Sequence, residues 1–197
     1  VTLVVHDSGG PIGLPYAIKN PDRIRQVILL NTYMWPLDEN GRAMRIAKLC
    51  GNPLNRFYYR MLNASPAFVF PALFADRHRM TKAAQMQYLE PFREFKKRYG
   101  AYDMVAGMRD GREWFDHLWE QREVLADKRA LLLWGMRDPL FGFQSLNMWK
   151  SLFQDVTTVT FDNQGRHLLE ENPWPVVDEV RWFLMNFQSR LTEGQMR

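Results

Sequence analysis

The stretch VTLVVHDSGGPIGLP, residues 1–15, constrains what this chain can fold into more than any other. Val1-Thr2-Leu3-Val4-Val5 is a β-branched apolar run of the kind that fills a strand buried in a parallel sheet. It stops at His6-Asp7-Ser8-Gly9-Gly10 and gives way to an apolar segment of helical length, with Pro11 in its first turn. A strand that turns sharply into a helix through a glycine-rich corner has the form of a nucleophile elbow. The corner is strained and needs small residues two and three places after the nucleophile, where Asp7 has Gly9 and Gly10. The Asp7 carboxylate then stands at a strand's carboxyl end, near the positive end of the following helix. Ser8 is followed by Gly9 and Gly10 and meets the spacing as well, so both residues are candidate nucleophiles. Ser8 would place His6 at the crowded position two residues before it, where Asp7 places Val5, and this favours Asp7.

The first helix is expected to end near Asn20-Pro21, and Ile24 to Leu30 reads as a second strand, completing a βαβ unit. From Thr32 to about Asp127 the β-branched runs give way to Met, aromatic, Arg and Lys residues at helical spacing. Helices are predicted over Arg42–Leu49, Asn55–Leu62, Pro66–Phe74, Thr81–Tyr99 and Arg112–Ala126. In the fourth, Met86, Leu89, Phe92, Phe95 and Tyr99 share one face, Thr81 is the N-cap, Pro91 a kink and Gly100 the stop. The strand signal returns in Arg129–Gly135 and Val156–Phe161, separated by a helix over Phe143–Phe153. A closing helix runs from Pro173 to about Leu191, with Trp182, Phe183, Met185 and Phe187 for packing. The predicted class is α/β: a parallel sheet with flanking helices and an inserted all-helical cap. The expected division is 1–31 core, 32–127 helical cap, and 128–197 core carrying the closing helix. A helical insertion over the carboxyl ends of the strands would act as a lid.

Composition excludes several alternatives. A chain of 197 residues that is 46% hydrophobic can bury a sizeable core. The formal net charge of +4 is spread along the chain, and its densest cluster, Arg93 to Arg98, is interrupted by Glu94 and Phe95, so no nucleic-acid partner is expected. A lone cysteine, Cys50, rules out an internal disulfide framework and suits a reducing compartment, so a cytoplasmic location is expected. No run is long and apolar enough to span a membrane. His78 and His117 have no acidic cluster around them in sequence, so neither a metal nor a cofactor is implied.

Asp7, Asp138 and His167 each follow the carboxyl end of a predicted strand, and in a parallel sheet those ends share one edge. Nucleophile, acid, histidine is the chain order of α/β-hydrolases. Three strings, VVHDSGGPIGL followed by NPDRIRQVILLN, then LLLWGMRDPLF, then GRHLLEENP, resemble the nucleophile, acid and histidine segments of haloalkane dehalogenases and their epoxide-hydrolase relatives. The resemblance covers both flanks of the chain, and the middle matches the family's cap in position and composition. It implies Asp7 as nucleophile, Asp138 as the acid that orients the base, and His167 as the base. Asp7 would displace a leaving group from carbon, forming an alkyl-enzyme ester that a His167-activated water cleaves. The backbone N–H of Ser8 would hold the oxyanion. A serine nucleophile would form an ether, which water has no easy route to cleave. The expected partners are therefore water and a small or alkyl-chain hydrophobic substrate: an organohalide, an epoxide or a strained lactone.

The chain departs from the family pattern at two points. Dehalogenases carry a tryptophan directly after the nucleophile, whose indole N–H grips the halide, and here that residue is Ser8. Trp35, Tyr58 and Tyr59 are the cap-side residues that could contact a leaving group instead. The family's earlier strands and its His-Gly oxyanion loop do not precede the elbow, so the expectation is an N-terminally incomplete copy with Val1–Val5 on an exposed sheet edge. Two further readings stand beside the leading one: a Ser8-based esterase or acyl hydrolase, and an inactive truncated fragment or binding protein.

Overall fold

The apolar runs become four parallel strands: β1 (Thr2–Asp7), β2 (Gln26–Thr32), β3 (Arg129–Gly135) and β4 (Val156–Phe161). They lie side by side in chain order. The structure is a computed structural model that describes residues 1–39, 41–63 and 65–195, with side chains throughout except at 65, 66 and 187–195. The predicted packing role of Phe187 therefore falls outside the described residues.

Residues 27–30 of β2 and 130–134 of β3 are unbroken apolar runs because both faces of the sheet are covered there. Side chains alternate between the faces. Val27, Leu29, Ala130, Leu132 and Trp134 join one core with Leu14 and Ala17 of α1 (Gly9–Lys19). Ile28, Leu30, Leu131 and Leu133 join a second core on the opposite face. β1 is an edge strand, and Val1 and Val4 are exposed along it.

Between β2 and β3 the regular elements among the described residues are all helical, 3₁₀ turns included. They include α2 (Arg42–Cys50), α3 (Asn55–Leu62), a π-helical turn at Ser65–Val69 leading into the short α4 (Phe70–Ala72), α5 (Lys82–Leu89), α6 (Tyr99–Asp110) and α7 (Arg112–Glu120). α8 (Phe143–Leu152) separates β3 from β4, where it adds Leu146 and Trp149 to the first core. After β4 come α9 (Leu168–Glu171) and α10 (Pro173–Gln195), which cover the second face with Leu168, Val176 and Phe183.

Several predicted boundaries shift, for identifiable reasons. The helix expected over Pro66–Phe74 is a π-helical turn followed by three α-helical residues. The helix expected over Thr81–Tyr99 starts as predicted, with Thr81 Oγ1 accepting from the Ala84 N–H at 3.1 Å. It breaks at Pro91, where the chain passes into 3₁₀ turns at Glu90–Phe92 and Phe95–Arg98. The face shared by Met86 to Tyr99 is broken with it. Gly100 does not stop a helix but lies in the first turn of α6. A Cβ there would meet nothing within 4 Å, and Gly100 lines a cavity of about 460 Å³ at the end of β1. Its missing side chain leaves space that the fold uses. The predicted Arg112–Ala126 helix ends at Glu120 and continues as a 3₁₀ turn at Arg122–Leu125. Of the residues expected to pack α10, Phe183 is fully buried, whereas Trp182 and Met185 are exposed.

No helix among the described residues is long and apolar enough to cross a membrane.

Candidate active site

Asp7 is the last residue of β1 and has φ +53°, a left-handed conformation that a non-glycine residue adopts only under local constraint. The β1–β2 register slips here, so that His6 faces Leu30 while Asp7 faces Thr32. Thr32 Oγ1 donates to the Asp7 carbonyl at 2.5 Å, and α1 begins two residues later. The carboxylate therefore projects from the strand's end beside the N-terminus of an 11-residue helix. Of the two glycines, Gly10 is the one the corner requires. A Cβ on Gly10 would lie 2.6 Å from the Tyr33 carbonyl oxygen and collide with Thr32 Oγ1, whereas a Cβ on Gly9 would find its nearest neighbour at 3.8 Å. Gly10→Ala is expected to lower stability by about 1–3 kcal/mol, the cost of forcing extra volume into a packed site. Gly9→Ala should cost much less, and urea unfolding of the two variants compares them directly.

Asp7 and Ser8 form the polar end of a cavity of about 460 Å³, together with Arg166 and His167. The remaining wall is largely apolar, with Ile46 and Ala47 from α2, Phe70 and Leu73, Met104 and Val105 from α6, and Leu140. Ser8 Oγ donates to Asp7 Oδ1 at 3.1 Å. A second hollow of about 380 Å³ adjoins at Ser8 and Met104, and Tyr33 and Trp114 also line it.

The centre of the polar end is a residue that sequence reasoning passed over. The Arg166 side chain is only 1% exposed, and its Nη2 donates to Asp7 Oδ1 in a close ion pair. Its Nη1 reaches Asp138 Oδ2 at 3.4 Å, its guanidinium lies over the Phe141 ring at 4.7 Å, and its Nε has no hydrogen-bond partner among the described residues. Burial alone would raise the Asp7 pKa, but the charge and hydrogen bond of Arg166, with help from His6 and Ser8, outweigh it and hold Asp7 at about 2. Asp7 is thus an anion throughout the neutral range.

Asp138 follows β3 and is buried. Its carboxylate accepts from Leu140 N at 2.7 Å and from Asn31 Nδ2 at 3.0 Å, in addition to Arg166. Asn31, itself at φ +31°, also donates to the Gly135 carbonyl at 3.1 Å and accepts from the Gly135 N–H at 2.7 Å. It ties the end of β2 to the end of β3. Burial pushes the Asp138 pKa up against the pull of these donors.

His167 lies in the cavity wall, with its ring 4.2 Å from that of Phe70 and 4.9 Å from that of Phe74, centre to centre. It is hydrogen-bonded to the Phe70 backbone, and its Nε2 has no partner among the described residues. The structure therefore brings Asp7, Asp138 and His167 to one edge of the sheet but does not pair His167 with Asp138. The Asp138 oxygens are instead occupied by Leu140, Asn31 and Arg166. The loop carrying the histidine is pinned by Glu171, whose buried carboxylate accepts from Gly165 N at 3.1 Å and from Ala75 N at 3.2 Å. A Cβ on Gly165 would lie 2.9 Å from Glu171 Oε1 and 2.8 Å from Ala75 N, so glycine is what lets the carboxylate close on the backbone. His6, read as a packing residue, donates from Nε2 to the Arg166 carbonyl at 2.7 Å and helps fix the same loop.

The His167 ring is neutral. Burial, followed by the neighbouring His6 and Arg166, lowers its pKa to about 3, against about 6.5 in an unfolded chain. Between these values the unfolded chain binds a proton that the folded one does not, so stability falls as pH drops from about 6.5 towards 3. His167→Gln is expected to flatten that dependence. Urea midpoints recorded between about pH 7 and pH 4 check it, and an unchanged slope would assign the pH dependence to other groups.

None of Trp35, Tyr58 and Tyr59 lines the cavity among the described residues. Trp35 packs into the core against Trp119 and Trp149, at ring distances of 5.1 and 5.2 Å. Tyr58 is exposed, and Tyr59 is buried beside Tyr102 and Cys50, the last of which does line the cavity. No group of three or more His, Cys, Asp or Glu residues among the described ones is arranged to hold a metal ion.

A family model described as alpha/beta hydrolase fold matches residues 1–173. Over 199 aligned residues the chain is 25% identical to cis-3-alkyl-4-alkyloxetan-2-one decarboxylase of Shewanella oneidensis, covering 98% of this chain and 62% of that protein. Over 171 residues it is 29% identical to haloalkane dehalogenase 2 of Mycobacterium tuberculosis, covering 84% of this chain and 57% of the relative. Among solved structures, a haloalkane dehalogenase of Agrobacterium tumefaciens is similar with a TM-score of 0.80 at 20% identity, over 94% of this chain and 66% of its own. A haloalkane dehalogenase loop variant from Bradyrhizobium elkanii reaches 0.82 at 15% identity, over 98% of this chain and 69% of its own. Likeness at such identities speaks for the fold. The chain spans less than two thirds of the length of these curated relatives.

Proposed function

The chain belongs to the α/β-hydrolase fold family, and on that premise we propose that it carries the nucleophile, acid and base of a hydrolase that works through an alkyl-enzyme ester. The observation that carries this reading is an ionised aspartate at φ +53° at the tip of an elbow strand, facing a largely apolar cavity. A carboxylate so placed displaces a leaving group from saturated carbon, and the product ester has a carbonyl that water can attack. His167, neutral, in the same cavity wall and with its Nε2 unpartnered among the described residues, is the group to take the proton from that water. The Ser8 backbone N–H, at the start of α1, is aligned with the helix N-terminus to hold the oxyanion. Asp138 acts here through Arg166, since the two share an ion pair.

The helices between β2 and β3 act as the cap. Their apolar side chains supply most of the wall and suit a small or alkyl-chain hydrophobic substrate: an organohalide, an epoxide or a strained lactone. The last of these has the ring chemistry in the name of the Shewanella oneidensis relative, an oxetan-2-one.

A single turnover of the full-length protein in heavy-oxygen water should place the label in the Asp7 carboxylate, read by mass spectrometry of the peptide. Turnover without label in Asp7 would reject the mechanism. Ser8, with its hydroxyl proton directed at Asp7, is the alternative nucleophile, and covalent capture by a fluorophosphonate probe would favour it.

A further inference from the structure

The polar end of the cavity contains a cation to which the ester mechanism gives no contact with the substrate. Arg166 is fully enclosed, lies against the nucleophile, and keeps one donor, Nε–H, buried without a partner among the described residues. A buried donor left unpaired costs roughly 1–3 kcal/mol, so a site that retains one is arranged to pair it at some stage. We infer that Arg166 receives the leaving group, and that this leaving group is a carboxylate, which makes the substrate a strained lactone opened at its saturated ring carbon. The inference rests on Asp7 being the nucleophile.

The charges support it. Asp7 and Asp138 face Arg166, and the neighbouring His6 and His167 are both shifted towards the neutral form by burial. When an Asp7 oxygen attacks the ring carbon, a carbon–oxygen bond forms and the ring carbon–oxygen bond breaks. Its electron pair stays on the ring oxygen, which becomes part of a free carboxylate, and no proton moves. Asp7, now an ester, has lost its charge, and the released carboxylate has gained one. The guanidinium thus exchanges one carboxylate partner for another while the net charge of the site is unchanged. A planar fork of N–H donors matches two carboxylate oxygens, whereas a halide offers a single centre. No indole lies among the described residues lining the cavity that holds Asp7, and Trp114 lines the adjoining hollow instead.

Asp7→Asn imitates the uncharged ester state without chemistry. Octanoate should bind Asp7→Asn about tenfold or more tightly than it binds the unaltered full-length protein, as expected for a charge-assisted hydrogen bond. Octanamide should bind both alike. Adding Arg166→Lys to Asp7→Asn should remove the octanoate gain. Equal octanoate affinity in Asp7→Asn and the parent protein, or a gain that survives Arg166→Lys, overturns the inference. If Asp7→Asn does not fold, Arg166→Lys alone decides by kinetics. Its kcat/KM should fall about tenfold further for a β-lactone than for a 1-bromoalkane of equal chain length, and equal losses overturn the inference. An octanoate gain together with unlabelled Asp7 in the heavy-oxygen experiment would reject the nucleophile assignment and leave the anion subsite standing.

Discussion

Asp7→Asn is expected to lose about four orders of magnitude or more of its activity, while Ser8→Ala keeps most of it. The asymmetry follows from what each residue can be replaced by. Asn retains the shape of Asp7 and tolerates its left-handed backbone, so the elbow survives, but an amide is not a nucleophile towards saturated carbon. No other carboxylate can take over, because the oxygens of Asp138 are held by Leu140, Asn31 and Arg166. Ser8→Ala removes one hydrogen bond, 3.1 Å long, to a carboxylate that Arg166 already stabilises. The loss from this substitution should stay within about tenfold, and the backbone N–H at position 8 is untouched. Steady-state kcat/KM for both variants, with circular dichroism to show that each is folded, measures the contrast. The reverse pattern, an active Asp7→Asn and an inactive Ser8→Ala, would establish the serine reading in its place.

The parts legible in the sequence were those governed by local rules. Strands β3 and β4 run over the residues predicted, because β-branched and leucine runs bounded by turns have little alternative in a sheet covered on both faces. Asn55–Leu62 and the Thr81 cap are equally local. Gly100 misled because glycine signals a helix stop only when packing does not decide, and here its open face borders a cavity. Trp35, Tyr58 and Tyr59 could not be placed from helical spacing, since which aromatic faces the cavity depends on how α2, α3 and α6 pack. Arg166 was the largest omission. An arginine between a glycine and a histidine reads as an ordinary loop residue. Its role arises from contacts to Asp7 and Asp138, respectively 159 and 28 residues away in sequence. A buried charge is invisible until the chain folds over it. Asn31 and Glu171 escaped notice for the same reason.

Arg166→Met should therefore destabilise the protein by about 3–5 kcal/mol, far more than the loss of any surface ion pair. Surface pairs set the comparison. Arg93 and Glu90 approach to 2.7 Å, but both side chains are more than half exposed, and such a pair contributes about 0–1 kcal/mol. Arg166 differs because it is enclosed and its removal takes the shared cation from two carboxylates, of which Asp138 is fully buried and Asp7 is 31% exposed. Asp138 keeps Leu140 and Asn31 as donors, whereas Asp7 keeps only Ser8, so Asp7 bears more of the penalty. That allocation is testable. In the Arg166→Met background, Asp7→Asn should return part of the lost stability, although Asp7→Asn in the parent chain is destabilising because it leaves Arg166 short of a partner. The two substitutions are thus coupled with opposite signs, and a double-mutant cycle in urea should show a coupling energy on the order of 1–3 kcal/mol. Strict additivity would mean that the close Asp7–Arg166 contact contributes nothing beyond its packing. Loss of pairing at this site also has a chemical consequence: with the cation gone, burial acts on Asp7 against only the smaller pull of His6 and Ser8 and raises its pKa, so Arg166→Met should need a higher pH to reach its best rate than the parent protein does.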